Sequence, residues 1–217
     1  METVAPGLYA SAAQPMPFGR SLEGRAYLLQ RDRGNLLIYS SPNLERDAQA
    51  ISDLGGIERQ YLNHRHEASP ACDWVTATFG APLYCHENER ESVAETCKVG
   101  ETFSQRHRLD DDFEVIPTPG HTSGATAYLW TSGHGRCLFT GDTIMLRAGE
   151  WGVVLLSGTS DRADYISSLQ LLRGLEFDLL VPGFGTAGHP FYAATDQADR
   201  ERRIDELLER VTAGENL

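Results

Sequence analysis

Five side chains with metal-ligating chemistry stand at the ends of apolar runs: His64, His66, His86, His121 and Asp142. Imidazole nitrogen combined with carboxylate oxygen suits zinc, iron, nickel or manganese, whereas calcium takes oxygen donors alone. His64 and His66 follow the run 57–62 and are separated by one residue. On an extended strand, residues i and i+2 face the same way, so both rings can grip one ion. His121 follows Pro119-Gly120, a turn that aims a third imidazole, and Asp142 follows Gly141 after another apolar run. The expected ligand set is therefore His64, His66, His121 and Asp142, with His121 and Asp142 nearest to catalysis. Such a site acidifies water, and the resulting hydroxide attacks an electrophilic carbonyl or phosphorus. An isolated His-x-His pair is a weak signal; the ordered recurrence of ligand types after apolar runs is a stronger one.

The elements that must position these groups alternate along the chain. Residues 25–30 and 35–40 flank the turn Asp32-Arg33-Gly34 and read as a hairpin. Residues 44–54 carry apolar positions 44, 48, 51 and 54 on a helical stripe, ended by Gly55-Gly56. Strands are expected over 57–62, 81–85, 113–117 and 177–181, with 125–131 and 135–139 forming a second hairpin. Helices are expected over 73–77, 88–97, 161–172 (capped by Asp161) and 196–211. Residues 1–23 are rich in Pro, Gly and Ala and read as irregular. No charge run, repeat or low-complexity tract marks a linker, so residues 1–217 are expected to form a single domain of layered α/β type with mixed sheets.

Apolar residues make up 41% of the chain and charged ones 23%, a composition that folds rather than staying disordered. The 31 acidic against 19 basic residues give a formal charge of -12, which repels phosphate backbones and argues against nucleic acid as a partner. No apolar run is long enough to cross a bilayer, and the first twenty residues lack the basic and apolar segments of a secretory leader. A cytoplasmic protein acting on a small molecule is expected; its oligomeric state is open. Cys72, Cys85, Cys97 and Cys137 form no Cys-x-x-Cys pair, so a thiolate zinc site is not expected and the thiols read as free and buried.

The chain resembles the metallo-β-lactamase fold superfamily over residues 26–189. The resemblance rests on the opening hairpin, His64-Arg65-His66 after a strand, Thr118-Pro119-Gly120-His121-Thr122-Ser123-Gly124, Phe139-Thr140-Gly141-Asp142 and Val181-Pro182-Gly183-Phe184-Gly185. It is most similar to hydroxyacylglutathione hydrolase-like members. The resemblance implies an αββα sandwich of two mixed β-sheets with helices on both outer faces and a metal site at one edge. Most members hydrolyse esters, thioesters, lactams, lactones or phosphodiesters; some carry iron and act on persulfides or dioxygen.

The departures from that pattern are concentrated. The family's His-x-His-x-Asp-His places the ligands of a second metal where this chain has Ala68 and Ser69, and the late Pro-Gly is followed by Phe184 instead of histidine. The early strand ends in Tyr39-Ser40-Ser41 instead of a buried aspartate. His64, His66 and His121 match the first metal's ligands, and Asp142 the bridging one. A mononuclear site, zinc or alternatively iron, is therefore expected, one ion per chain. The corresponding function is hydrolysis of a small ester, thioester or lactone by a metal-bound hydroxide. A binding or regulatory protein without turnover, and mononuclear iron chemistry on sulfur or oxygen, are the alternatives. Glu67, Ser69, His86, Phe184 and His189 are candidate supporting or substrate-contacting residues; strand alternation directs Glu67 away from the histidines, and Thr122 and Ser123 are expected to orient the His121 loop.

Overall fold

The computed structural model describes residues 1–16 and 19–215, which divide into two compact units, Met1–Ser104 and Gln105–Leu217. In the first, strands β1 (Glu2–Ala5) and β2 (Leu8–Ala10) come before β3 (Gln14–Met16) and β4 (Gly19–Gly24). Then come β5 (Tyr27–Leu29), β6 (Leu36–Ile38), α1 (Ala48–Asp53), β7 (Arg59–Tyr61), α2 (Pro70–Phe79), β8 (Leu83–His86), α3 (Arg90–Ala94) and β9 (Glu101–Phe103). A seven-stranded sheet runs β1-β2-β5-β6-β7-β8-β9. Its first half is antiparallel, with Tyr27 opposite Ile38 across the expected hairpin. From β6 to β9 it is parallel, because each connection passes through helical structure that returns the chain to the same end.

The N-terminal segment departs from expectation. Residues 1–23 are not irregular: β1 and β2 pair around Gly7 at φ +78°, and Leu8 and Ala10 are fully buried with Tyr9 between them half-exposed. The period-2 burial was concealed by the short length of each strand and by the intervening Pro and Gly. Residues 17 and 18 of that stretch lie outside the described residues. Leu28, Leu37, Leu44, Ile51, Ile57, Val75 and Ala81 close the core on the helical side. Each fully buried Leu, Ile or Val side chain there contributes roughly 1.5–3 kcal/mol.

The second unit contains β10 (His107–Arg108), β11 (Phe113–Pro117), β12 (Thr126–Ser132), β13 (Gly135–Gly141), β14 (Met145–Arg147) and β15 (Glu150–Gly152). It continues with α4 (Arg162–Arg173), β16 (Leu179–Pro182), β17 (Phe184–Thr186), β18 (Ala193–Ala194) and α5 (Gln197–Thr212). A six-stranded sheet runs β10-β11-β12-β13-β16-β18. β11 and β13 are both antiparallel to β12, so they run in one direction and end at one edge; β16, parallel to β13, ends there too. β14 pairs with β15 and with β17. Helices α4 and α5 begin at Asp161 and Asp196, whose carboxylates accept the N–H of Asp164 and Asp199, both at 2.9 Å. Tyr165, Leu169 and Leu172 of α4 share one core cluster with Ile204, Leu207 and Val211 of α5.

Candidate functional site

In the first unit the expected histidines do not sit on a strand. β7 stops at Tyr61; His64 is extended (φ -160°, ψ 175°) and residues Arg65–Glu67 form a 3-10 turn. His64 and His66 meet because that turn folds the chain back, and their rings are edge to face with centroids 4.9 Å apart. His64 is buried and His66 exposed. The turn also reverses the expectation for Glu67. Its carboxylate is directed inward, accepting the Asn63 N–H at 2.8 Å and lying 3.6 Å from His64 Nδ1. His64 Nδ1 is also 2.9 Å from Asn63 Oδ1. Both neighbours are acceptors, so Nδ1 carries the proton, which leaves Nε2 as the atom that can ligate a metal.

Arg65, between the two histidines, is held by a group the sequence did not single out. The fully buried Glu89 carboxylate accepts from Arg65 Nε at 2.6 Å and Nη2 at 2.9 Å, and from the Arg65 backbone N–H at 2.8 Å. This bidentate pair, with its backbone bond, pins the turn that presents the histidines. The Glu89 carboxylate also raises the guanidinium pKa. Ser69 occupies the position just before α2, with Pro70 at the helix's first position, and its hydroxyl, which makes no capping bond, is 2.7 Å from that of Ser40. Two positions at which the chain departs from the family pattern are thus joined by a hydrogen bond. Ser40 itself follows Tyr39, a buried residue at φ +65°. His86 is occupied on both nitrogens: Nδ1 accepts the Asn88 N–H at 3.2 Å, and Nε2 donates to the Ser104 carbonyl at 3.3 Å. It caps the turn Glu87–Glu89.

In the second unit, the end of β11 delivers His121 and the end of β13 delivers Asp142, both buried. His121 Nε2 is 3.5 Å from Asp142 Oδ2. Its Nδ1 is 2.8 Å from the Val154 carbonyl oxygen. A carbonyl only accepts, so Nδ1 carries the proton, and Nε2, facing the Asp142 carboxylate, is the atom left to meet a metal. The loop is further tied by Ser160 Oγ donating to the His121 carbonyl at 2.9 Å and Ser168 Oγ donating to the Pro119 carbonyl at 2.6 Å. Thr122 contributes through its backbone, its carbonyl accepting the Gly120 N–H at 3.0 Å. Phe184, opening β17, is buried and offers no donor atom for a metal; His189 is exposed in a turn, its N–H bonded to the Thr186 carbonyl at 3.1 Å. All four cysteines are free and buried. No helix among the described residues is long and apolar enough to cross a membrane.

Each unit therefore carries a pair of groups with metal-binding chemistry, and the histidine tautomers of His64 and His121 suit coordination through Nε2. Residues 98–183 match the metallo-beta-lactamase superfamily model. The uncharacterized protein YmaE of Bacillus subtilis (strain 168) is 33% identical over 131 residues, 57% of this chain and 46% of its own length. The chain thus spans about half of that relative. The beta-lactamase-like protein 2 homolog of Caenorhabditis elegans is 27% identical over 220 residues, covering 89% of this chain and 68% of its own. Among solved structures, the metallo-beta-lactamase FIM-1 of Pseudomonas aeruginosa in its mono-zinc form is similar at a TM-score of 0.73 and 13% identity, over 97% of this chain and 94% of the other. The fold is the metallo-β-lactamase fold, and the second unit carries the stretch that matches the superfamily's model.

Proposed function

We propose that the protein is a metal-dependent hydrolase of a small ester, thioester or lactone that uses one divalent ion, for which the sequence nominates His64, His66, His121 and Asp142 as ligands. The observation that carries this reading is the His121–Asp142 pair: an imidazole whose Nδ1 is committed to the Val154 carbonyl, with Nε2 3.5 Å from a buried carboxylate oxygen. When bound, a divalent metal supplies Lewis acidity that polarises a carbonyl and acidifies water. His64 and His121 offer Nε2 as neutral donors, and the acceptors at their Nδ1 atoms raise the basicity of those donors. Asp142 would help hold the ion and offset its charge, and its carboxylate would orient the attacking water. His189, exposed, is the expected substrate contact.

A single ion is favoured over two because Ala68 and Phe184 lack donor atoms and the Ser69 hydroxyl is bonded to Ser40. Hydrolysis of chromogenic ester, thioester and lactone substrates, measured before and after chelation and after Zn²⁺ return, tests the proposal. Activity that survives complete chelation overturns it. Restoration by Fe²⁺ but not Zn²⁺, and only with dioxygen present, replaces hydrolysis with iron chemistry on sulfur or oxygen.

A further inference from the structure

We infer that Tyr165 is a positioning residue for His121 and Asp142, acting through one phenol oxygen; the inference rests on the metal reading above. Tyr165 lies on α4, wholly buried in an apolar cluster with Leu169 and Leu172. A phenol there is costly unless its hydroxyl is satisfied. It is satisfied by backbone groups of the loop that carries Asp142 and of the segment at Val154 that holds His121. The hydroxyl accepts the Val154 N–H at 3.1 Å. Its single hydrogen faces the Thr143 carbonyl at 2.5 Å and the Asp142 carbonyl at 3.1 Å. The carbonyl of the same Val154 holds His121 Nδ1 at 2.8 Å. Val154 therefore faces Tyr165 with its N–H and His121 with its C=O, and one phenol links the group that sets the His121 tautomer to the backbone that bears Asp142.

Gly120 strengthens the link. It sits at φ +137°, and a Cβ on it would fall 2.4 Å from Tyr165 Cα and 2.6 Å from Tyr165 N. The residue before His121 is thus pressed directly on the backbone of Tyr165, while the side chain of Tyr165 reaches past it to the other two loops. A purely space-filling aromatic at 165 would preserve the packing and lose the acceptor for the Val154 N–H.

The test is Tyr165→Phe, which removes only that oxygen. In metal-free wild-type protein labelled with ¹⁵N-histidine, His121 is expected in a single Nδ1–H tautomer; in Tyr165→Phe the two tautomers should mix. Co²⁺ titration, followed by d–d absorption and chelator competition, should show affinity lowered about 10–100-fold with altered bands, the usual consequence of losing a group that orients a ligand. A folded Tyr165→Phe protein with wild-type Co²⁺ affinity and spectrum overturns the inference. An Nε2–H tautomer of His121 in the metal-free wild type also overturns it, whether or not the variant folds. Wild type that shows the Nδ1–H tautomer, lost in Tyr165→Phe, but binds no Co²⁺ upholds the positioning and overturns the metal reading.

Discussion

His121 Nε2 and Asp142 Oδ2 lie 3.5 Å apart although the whole β12–β13 hairpin separates them in the chain. The approach follows from topology: β11 and β13 flank β12 and run the same way, so the loops after them open at one sheet edge. A glycine precedes each residue, Gly120 at φ +137° and Gly141 at φ +53°, conformations that an L side chain rarely adopts. The carboxyl edge of parallel strands is where loops on a rigid sheet gather chemistry.

Purified, chelator-free protein should contain one equivalent of zinc or iron per chain by elemental mass spectrometry. His121→Ala should lose the metal and any hydrolytic turnover together, while circular dichroism keeps the wild-type signal. Two equivalents per chain would show that Glu67 or His189 supplies ligands to a second ion.

His86→Ala should leave metal content unchanged, because both of its ring nitrogens serve the turn after β8 and Ser104. Its effect should be on stability, about 1 kcal/mol for the lost cap, readable by urea denaturation. Loss of metal in this variant would contradict the assignment.

Glu89→Ala should destabilise the protein by about 1–3 kcal/mol, since it removes the buried acceptor of the Arg65 backbone N–H and of two guanidinium donors. The same variant should weaken metal binding, because the Arg65–Glu67 turn loses its anchor. Unchanged stability in denaturant titration would refute the role given to Glu89.

Gly120→Ala combines a left-handed φ with a collision against the Tyr165 backbone, neither relieved by a rotamer change. A loss of roughly 2–4 kcal/mol is expected. Gly80→Ala, at φ +73° but with nothing near its Cβ, should cost less, and comparing their unfolding midpoints isolates the collision.

Stability should fall at alkaline pH. Burial pushes the thiols of Cys85 and Cys137 from an ordinary 9.0 up to about 12. Between those values the unfolded chain has released protons that the folded chain retains, so each unit of pH favours unfolding. The stabilisation is complete below pH 9 and is lost as pH rises toward 12. Denaturation free energies from pH 8 to 11 should decline, and the double variant Cys85→Ala, Cys137→Ala should decline less steeply.

The sequence alone determined the donor types and their order. His64, His66, His121 and Asp142 stand out because few residue types bind metals and because each follows an apolar run that a β-sheet buries. The absence of donors at Ala68 and Phe184 is equally local information. The strands over 113–117 and the hairpin after them were legible from alternation and turn chemistry, and so was the Asp161 cap. Tertiary structure decided what each donor can do. The 3-10 turn, not strand alternation, brings His64 and His66 together and turns Glu67 inward. The Val154 carbonyl sets the His121 tautomer, and Asn88 and Ser104 take up His86. Glu89 and Tyr165 read in sequence as one more acidic surface residue and one more apolar helix position. Their roles come from hydrogen bonds to distant residues and to backbone groups, and a backbone N–H or C=O is the same at every non-proline position, so no residue type announces it.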